Sequence, residues 1–218
     1  MAKQKEACII TGAAGQIEAV LEEGQAGAAY SGAAYVAVIC HPHPLYGGTM
    51  DNKVVSTLVR IYRDLGIPCL RFNFRGVGAS AGQHDEARGE IDDLCLVSEW
   101  LLSRYPQSRL LLAGFSFGSA IAAAASERMS VEQMVLIAPP VMRYSYAPEG
   151  AFTCPVSVVF GGQDELVSAQ EVEAWLGLLA SPVVPIFIPD ASHFFHGQLK
   201  ALREKLGLEL SRSLAVNE

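Results

Sequence analysis

Apolar residues along this chain recur in two rhythms. Residues 34–40, 110–113, 133–138 and 155–160 are almost unbroken apolar runs, too short for helices and of the kind shown by strands covered on both faces. Residues 68–74 and 185–188 also read as strands, and residues 15–22 alternate polar with apolar. Together with residues 8–12, that alternating segment predicts an antiparallel hairpin turning between Gly12 and Gly15. Other segments keep three-and-four spacing. Val54, Val55, Leu58, Val59 and Ile61 mark a helix capped near Asp51 and stopped at Gly66; Ile91, Leu94, Cys95, Val97, Trp100 and Leu101 mark a longer one over 86–104. A small-residue helix follows at 117–125, and others at 169–179 and 197–214. Taken in order, the pattern alternates strand and helix after the opening hairpin. It predicts an α/β protein with a mostly parallel central sheet of about eight strands, helices on both faces, and a single domain over residues 1–218. A small-residue linker, 24–32, separates the hairpin from the rest. The irregular stretch 139–155 is too short for a helical lid domain, and its Arg143-Tyr144-Ser145-Tyr146 is placed to shape a pocket.

Composition narrows the setting. Half of the residues are apolar and 18% are charged, which suits a sheet covered on both faces. A net charge of −7 argues against a nucleic-acid or anionic-membrane partner, either of which needs a basic patch. No apolar run approaches the roughly 20 residues of a membrane span. Near the N-terminus Glu6 follows Lys3 and Lys5, and the apolar stretch after it is too short for a signal peptide, so export is not expected. Five cysteines, Cys8, Cys40, Cys69, Cys95 and Cys154, form no close pair and are odd in number. They read as inert free thiols of a cytoplasmic protein, with no metal site and no cofactor. Nothing in the pattern decides between a monomer and a homo-oligomer.

Chemistry concentrates where the run at 110–113 meets the helix at 117–125. The intervening Gly114-Phe115-Ser116-Phe117-Gly118 leaves no room for a loop. A strand turning straight into a helix crowds the neighbouring backbone, so the residues two before and two after the serine must lack a Cβ. Ser116 therefore projects from the carboxyl edge of the sheet, and the helix beginning at Phe117 aims its free N–H groups at an oxyanion forming beside it. A neutral hydroxyl is a poor nucleophile without a base, and the base needs an acid to fix its tautomer. Both should come from loops at the same carboxyl edge. His84 lies in a polar turn and reads as solvated, while His41 and His43 read as turn residues upstream of the nucleophile. Of the two histidines after the last strand, His193 lies in the loop itself and His196 begins the final helix, so His193 is the expected base. In Gly161-Gly162-Gln163-Asp164-Glu165-Leu166-Val167, Asp164 sits at the loop tip with an apolar pair anchoring it. It is preferred to Glu165 and Asp190 as the acid. One oxyanion donor is expected to be the N–H of Phe117. The second should come from the loop at 43–48, where Pro42 and Pro44 have no N–H to offer; Leu45 is the choice, with Tyr46 second.

Five pieces in order carry a family resemblance: the segment His41-Pro42-His43-Pro44-Leu45-Tyr46-Gly47-Gly48 continuing to Lys53, the Arg71 to Ser80 segment, the Gly114 to Gly118 turn, the Gly161 to Val167 loop and Ala191-Ser192-His193-Phe194-Phe195. The chain resembles the α/β-hydrolases, in particular short lidless bacterial members similar to dienelactone hydrolases and small carboxylesterases. The resemblance covers the chain from the third strand to the last helix. It implies the α/β-hydrolase fold, with Ser116, Asp164 and His193 in that chain order as nucleophile, acid and base. One departure matters, since dienelactone hydrolases carry cysteine at the turn where this chain has serine. The expected activity is a serine hydrolase cleaving small carboxylic esters through an acyl-enzyme, its partner a small-molecule ester. Thioester or peptide hydrolysis on the same triad, and a non-catalytic binding scaffold, are the alternatives. Arg71 and Arg75 read as structural, paired with carboxylates near Asp85, Glu90 or Asp92, and Phe115, Phe117, Phe194 and Phe195 read as core.

Overall fold

The unbroken apolar runs lie side by side in the middle of the sheet. In the computed structural model, which describes residues 5–32, 34–147 and 149–215, the strands are β1 (Lys5–Gly12), β2 (Gly15–Glu22), β3 (Tyr35–Cys40), β4 (Cys69–Phe72), β5 (Arg109–Phe115), β6 (Gln133–Ile137), β7 (Val156–Gly161) and β8 (Val183–Ile188). They form one sheet in the order β1-β2-β4-β3-β5-β6-β7-β8. The β1–β2 and β2–β4 pairs are antiparallel and all later neighbours parallel. Every residue of β3, β6 and β7 is buried, as an unbroken apolar run requires when helices cover both faces.

Helices α1 (Lys53–Asp64), α2 (Arg88–Arg104), α3 (Phe117–Ser126), α4 (Ala169–Leu176) and α5 (Leu199–Ala215) divide between the two faces. One face packs α2, α3 and α4 over Phe72, Leu112, Leu136 and Val158. The other packs α1 and α5 over Ile39, Leu111, Val135 and Val159. Helix α5 presents Leu202, Leu206, Leu210 and Leu214 at four-residue spacing, one stripe along one side. Asn52 caps α1 by accepting from the Val54 N–H at 2.8 Å, next to the Asp51 expected.

Several boundaries differ from the sequence pattern for local reasons. Helix α2 begins at Arg88, because Glu86 and Ala87 take positive φ of 49° and 76° and cannot continue a helix backward. Strand β4 stops at Phe72, and Phe74 turns its N–H to His41 Nε2 at 3.0 Å. Helix α4 ends at Leu176 and α5 starts at Leu199, just past Gly197 at φ 74°. The segment at 24–32 is not a free linker. Tyr30 is buried, its N–H donating to Leu65 O at 2.9 Å and its hydroxyl to Ser211 O at 3.2 Å, which ties it to α1 and α5. A 3-10 turn, Pro44–Tyr46, interrupts the loop after β3. The connection from β6 to β7 contains no helix among its described residues.

Candidate active site

The parallel strands deliver their following loops to one edge, and four of those loops meet there. Ser116 leaves β5 directly into α3 with φ 53° and ψ −120°, a left-handed conformation that a non-glycine residue holds only when its surroundings impose it. Two constraints impose it here. A Cβ on Gly114 would stand 2.1 Å from Gly118 O, and one on Gly118 would stand 2.5 Å from His41 O and 2.6 Å from Cys40 O. The first glycine thus lets strand and helix cross, and the second lets the helix lie against the end of β3. The Ser116 N–H donates to Ile137 O at 2.8 Å, which fastens the bend to β6. Ser119 Oγ donates to Ser116 O at 2.5 Å, so its contact with Tyr146 Oη at 2.8 Å must use the tyrosine as donor.

His193 stands across from the serine. Its Nε2 lies 3.1 Å from Ser116 Oγ, and its Nδ1 lies 2.9 Å and 3.1 Å from the two carboxylate oxygens of Asp164. Asp164 Oδ1 also accepts the N–H groups of Leu166 at 2.9 Å and Val167 at 2.8 Å. Facing an acceptor, Nδ1 carries the ring proton, and Nε2 turns a lone pair to the serine hydroxyl. The histidine and aspartate side chains are 3% and 1% exposed, so water does not compete for this contact. Phe115 and Phe194 flank the imidazole, each with ring centroids 5.2 Å away. Glu165, considered above only as a rival to Asp164, accepts the His193 backbone N–H at 3.2 Å and steadies the loop. His196 and Asp190 are exposed and outside the cavity lining; His196 stacks on Phe194 instead.

The loop after β3 departs from expectation. Leu45 is 69% exposed, and its N–H donates to His43 Nδ1 at 3.2 Å, so this amide is already engaged by a side chain of its own loop. The Tyr46 N–H is engaged as well, by His43 O at 3.2 Å. Among the described residues, the amides of His43 and Phe117 have no hydrogen-bond partner in the protein, and both residues line the cavity. Gly48 is required by close approach, since a Cβ there would stand 2.0 Å from Pro42 O. His41 is wholly buried: Nδ1 lies 2.6 Å from Pro42 O, and Nε2 accepts the Phe74 N–H. Burial first, against the bond to Pro42, brings its pKa down to about 4.

His84 is likewise not the solvated residue that a polar turn implies. Its side chain is 12% exposed, Nδ1 lies 2.8 Å from Glu90 Oε1, and its ring lies 4.8 Å from that of His43. Glu90 is fully buried. Burial, and then His84, lower the pKa of His43, with Glu90 opposing. Arg75 pairs through two nitrogens with Asp93 at 2.9 Å and 2.8 Å, not with the carboxylates anticipated except for a 4.0 Å approach to Asp85. Arg71 reaches Met50 O at 2.8 Å and the carboxylates of Asp51 and Glu22 at 2.5 Å and 3.3 Å. Both arginines are therefore structural. Phe115, Phe117 and Phe195 are core, whereas Phe194 is 37% exposed and forms cavity wall.

The cavity above Ser116 has a volume of about 240 Å³, and Pro140, Arg143, Tyr144 and Leu166 complete its walls. Among the described residues no group of three or more His, Cys, Asp or Glu side chains converges as a metal site, and no helix is long and apolar enough to cross a membrane.

Comparison with known proteins agrees with this fold. Residues 45–153 match the family described as alpha/beta hydrolase fold. The crystal structure of an a/b serine hydrolase without lid from Xanthomonas campestris is 36% identical, with a TM-score of 0.91 over 97% of this chain and 96% of that one. An alpha-beta serine hydrolase homologue from Coxiella burnetii is 40% identical, with a TM-score of 0.90 over 96% and 99%. An uncharacterized protein of Rickettsia prowazekii is 38% identical over 184 residues, covering 79% of this chain and 77% of its own.

Proposed function

This chain belongs to the α/β-hydrolase family, and from that premise we propose that it hydrolyses small carboxylic esters through an acyl-enzyme. The 3.1 Å approach of Ser116 Oγ to His193 Nε2, with Asp164 behind the ring, carries this reading. Ser116 Oγ attacks the ester carbonyl while its proton passes to His193 Nε2. Asp164 holds the ring in the tautomer that can accept it and stabilises the imidazolium that results. His193 then gives the proton to the departing alcohol, leaving the acyl group on Ser116. A water entering the same position loses a proton to His193 and attacks the acyl carbonyl; as the acid leaves, His193 returns that proton to Ser116 Oγ.

The negative charge on the tetrahedral oxygen falls to the N–H groups of Phe117 and His43, with His43 taking the place expected for Leu45. Phe117 N–H lies at the positive end of α3. A donor of this kind contributes ~2.7–4 kcal/mol in the transition state. The small, largely apolar cavity favours a short ester, and the acidic chain favours neither nucleic acid nor an anionic membrane surface as partner. Its unpaired, mostly buried thiols suit the cytoplasm.

Ser116→Ala is expected to lower kcat on p-nitrophenyl butyrate by a factor of about 10⁴ or more while leaving the far-ultraviolet spectrum unchanged. A fluorophosphonate should label the parent protein and not the variant. Near-full turnover by Ser116→Ala removes the nucleophile assignment. Faster turnover of acyl-CoA or peptide substrates replaces the ester reading with one of those.

A further inference from the structure

Arg143 is the residue with a permanently charged side chain among those lining the cavity above Ser116. Arg143 is itself exposed to solvent, and the same lining includes the apolar Pro140, Phe117 and Leu166. Other arginines of this protein, Arg71, Arg75, Arg128 and Arg203 among them, face carboxylates at 2.5–2.8 Å. The Arg143 guanidinium makes no hydrogen bond or ion pair with any described residue, and the backbone N–H of Arg143 donates to Pro140 O at 2.9 Å.

The backbone that carries this side chain is firmly held. Ala138 leaves β6 at φ 45°, its N–H donating to Val159 O at 2.8 Å, and Pro139 and Pro140 follow. At the far end of the turn, buried Tyr146 donates to Ser119 on the helix behind the nucleophile and packs on Trp175 at 5.5 Å. Between these anchors Tyr144 lays its ring edge-on to Phe117, 5.7 Å between centroids, with no hydrogen bond from its hydroxyl to any described residue. Burial raises the pKa of Tyr144, so that hydroxyl stays a neutral donor beside the cation.

In a chain of net charge −7 the long-range field disfavours anionic ligands. A guanidinium without a carboxylate partner at the solvent-exposed edge of a largely apolar cavity reverses that preference locally, because it offers an entering anion a planar, two-pronged donor. Resting on the ester-hydrolase reading above, we propose that Arg143, assisted by Tyr144, is an anion-binding subsite of this cavity. The ester turned over accordingly bears a carboxylate or phosphate group away from the scissile carbonyl.

Three esters test this: neutral p-nitrophenyl butyrate, mono-p-nitrophenyl glutarate with its charge on the acyl side, and para-acetoxybenzoate with its charge on the alcohol side. In Arg143→Gln, the kcat/KM of one charged ester relative to the neutral one should fall about tenfold, through KM, as expected for losing one charge-assisted contact. Arg143→Lys should recover part of it, and added salt should shrink the difference. Which charged ester responds identifies the side on which the anion lies. Binding of the same esters to Ser116→Ala, with and without Arg143→Gln, reads the subsite without turnover. A tenfold loss there sustains the subsite even if no ester is hydrolysed, which would sink only the ester-hydrolase reading. Equal changes for charged and neutral esters, or none in either measurement, overturn the proposal.

Discussion

His41 sits between two backbone groups that make opposite demands on its ring. Pro42 O needs a donor from Nδ1, and the Phe74 N–H needs an acceptor at Nε2. Only one neutral tautomer meets both, and a second proton would set two N–H groups against each other inside the core. The folded pKa of about 4 therefore lies below the ordinary 6.5, with burial as the main cause. The unfolded chain binds the proton first as pH falls. The stabilisation is fully present above about pH 6.5, where both states are neutral, and is lost progressively toward pH 4. Its size is roughly 3 kcal/mol. Urea unfolding between pH 7 and pH 4 should show this loss, and His41→Gln should flatten part of the slope; an identical slope in the variant refutes the assignment. The adjoining His43 shows why spacing alone misled the choice of amide. With the prolines excluded the choice fell on Leu45, with Tyr46 second, but the His43 ring turns back to bind Leu45 N–H, a choice made by side-chain packing.

At the level of elements, the bend between β5 and α3 depends on two contacts between backbones. Gly118→Ala places a methyl within 2.6 Å of both His41 O and Cys40 O, atoms that cannot rotate away. The expected cost is ~1–3 kcal/mol of stability, read as a lower midpoint in urea, with turnover of p-nitrophenyl butyrate expected to fall too because the Phe117 amide and Ser116 move together. A variant of parental stability and activity would show that the end of β3 yields freely. This element was legible because its causes are local: a strand, a helix and no residues to spare between them. The start of α2 was not legible. Its helical periodicity reaches back to Glu86, while the left-handed backbone at Glu86 and Ala87 belongs to the turn that seats His84 against Glu90.

Across the whole molecule, stability and chemistry occupy different places. The face under α1 and α5 is filled by side chains such as Leu206, fully buried and outside the lining of the cavity above Ser116. Leu206→Ala should cost ~2–5 kcal/mol. Under conditions where the variant remains folded, kcat/KM on p-nitrophenyl butyrate should match the parent. A proportionate loss of activity would mean that this face controls the geometry at the other edge. Charge divides in the same way: the molecule is acidic overall, yet its cavity displays a cation.

The order of strands and helices, the bend that exposes Ser116, and the positions of Asp164 and His193 after strand ends were determined by the sequence alone. Each follows from burial periodicity or from sterics acting over a few neighbouring residues. Tertiary structure decided which amides stay open beside Ser116, that Glu165 braces the His193 loop, that His84 meets Glu90, and that Arg143 lines the cavity with no partner among the described residues. Those outcomes turn on where loops from separate strands come to rest against one another, and no short-range pattern encodes the direction in which a side chain or an amide will finally point.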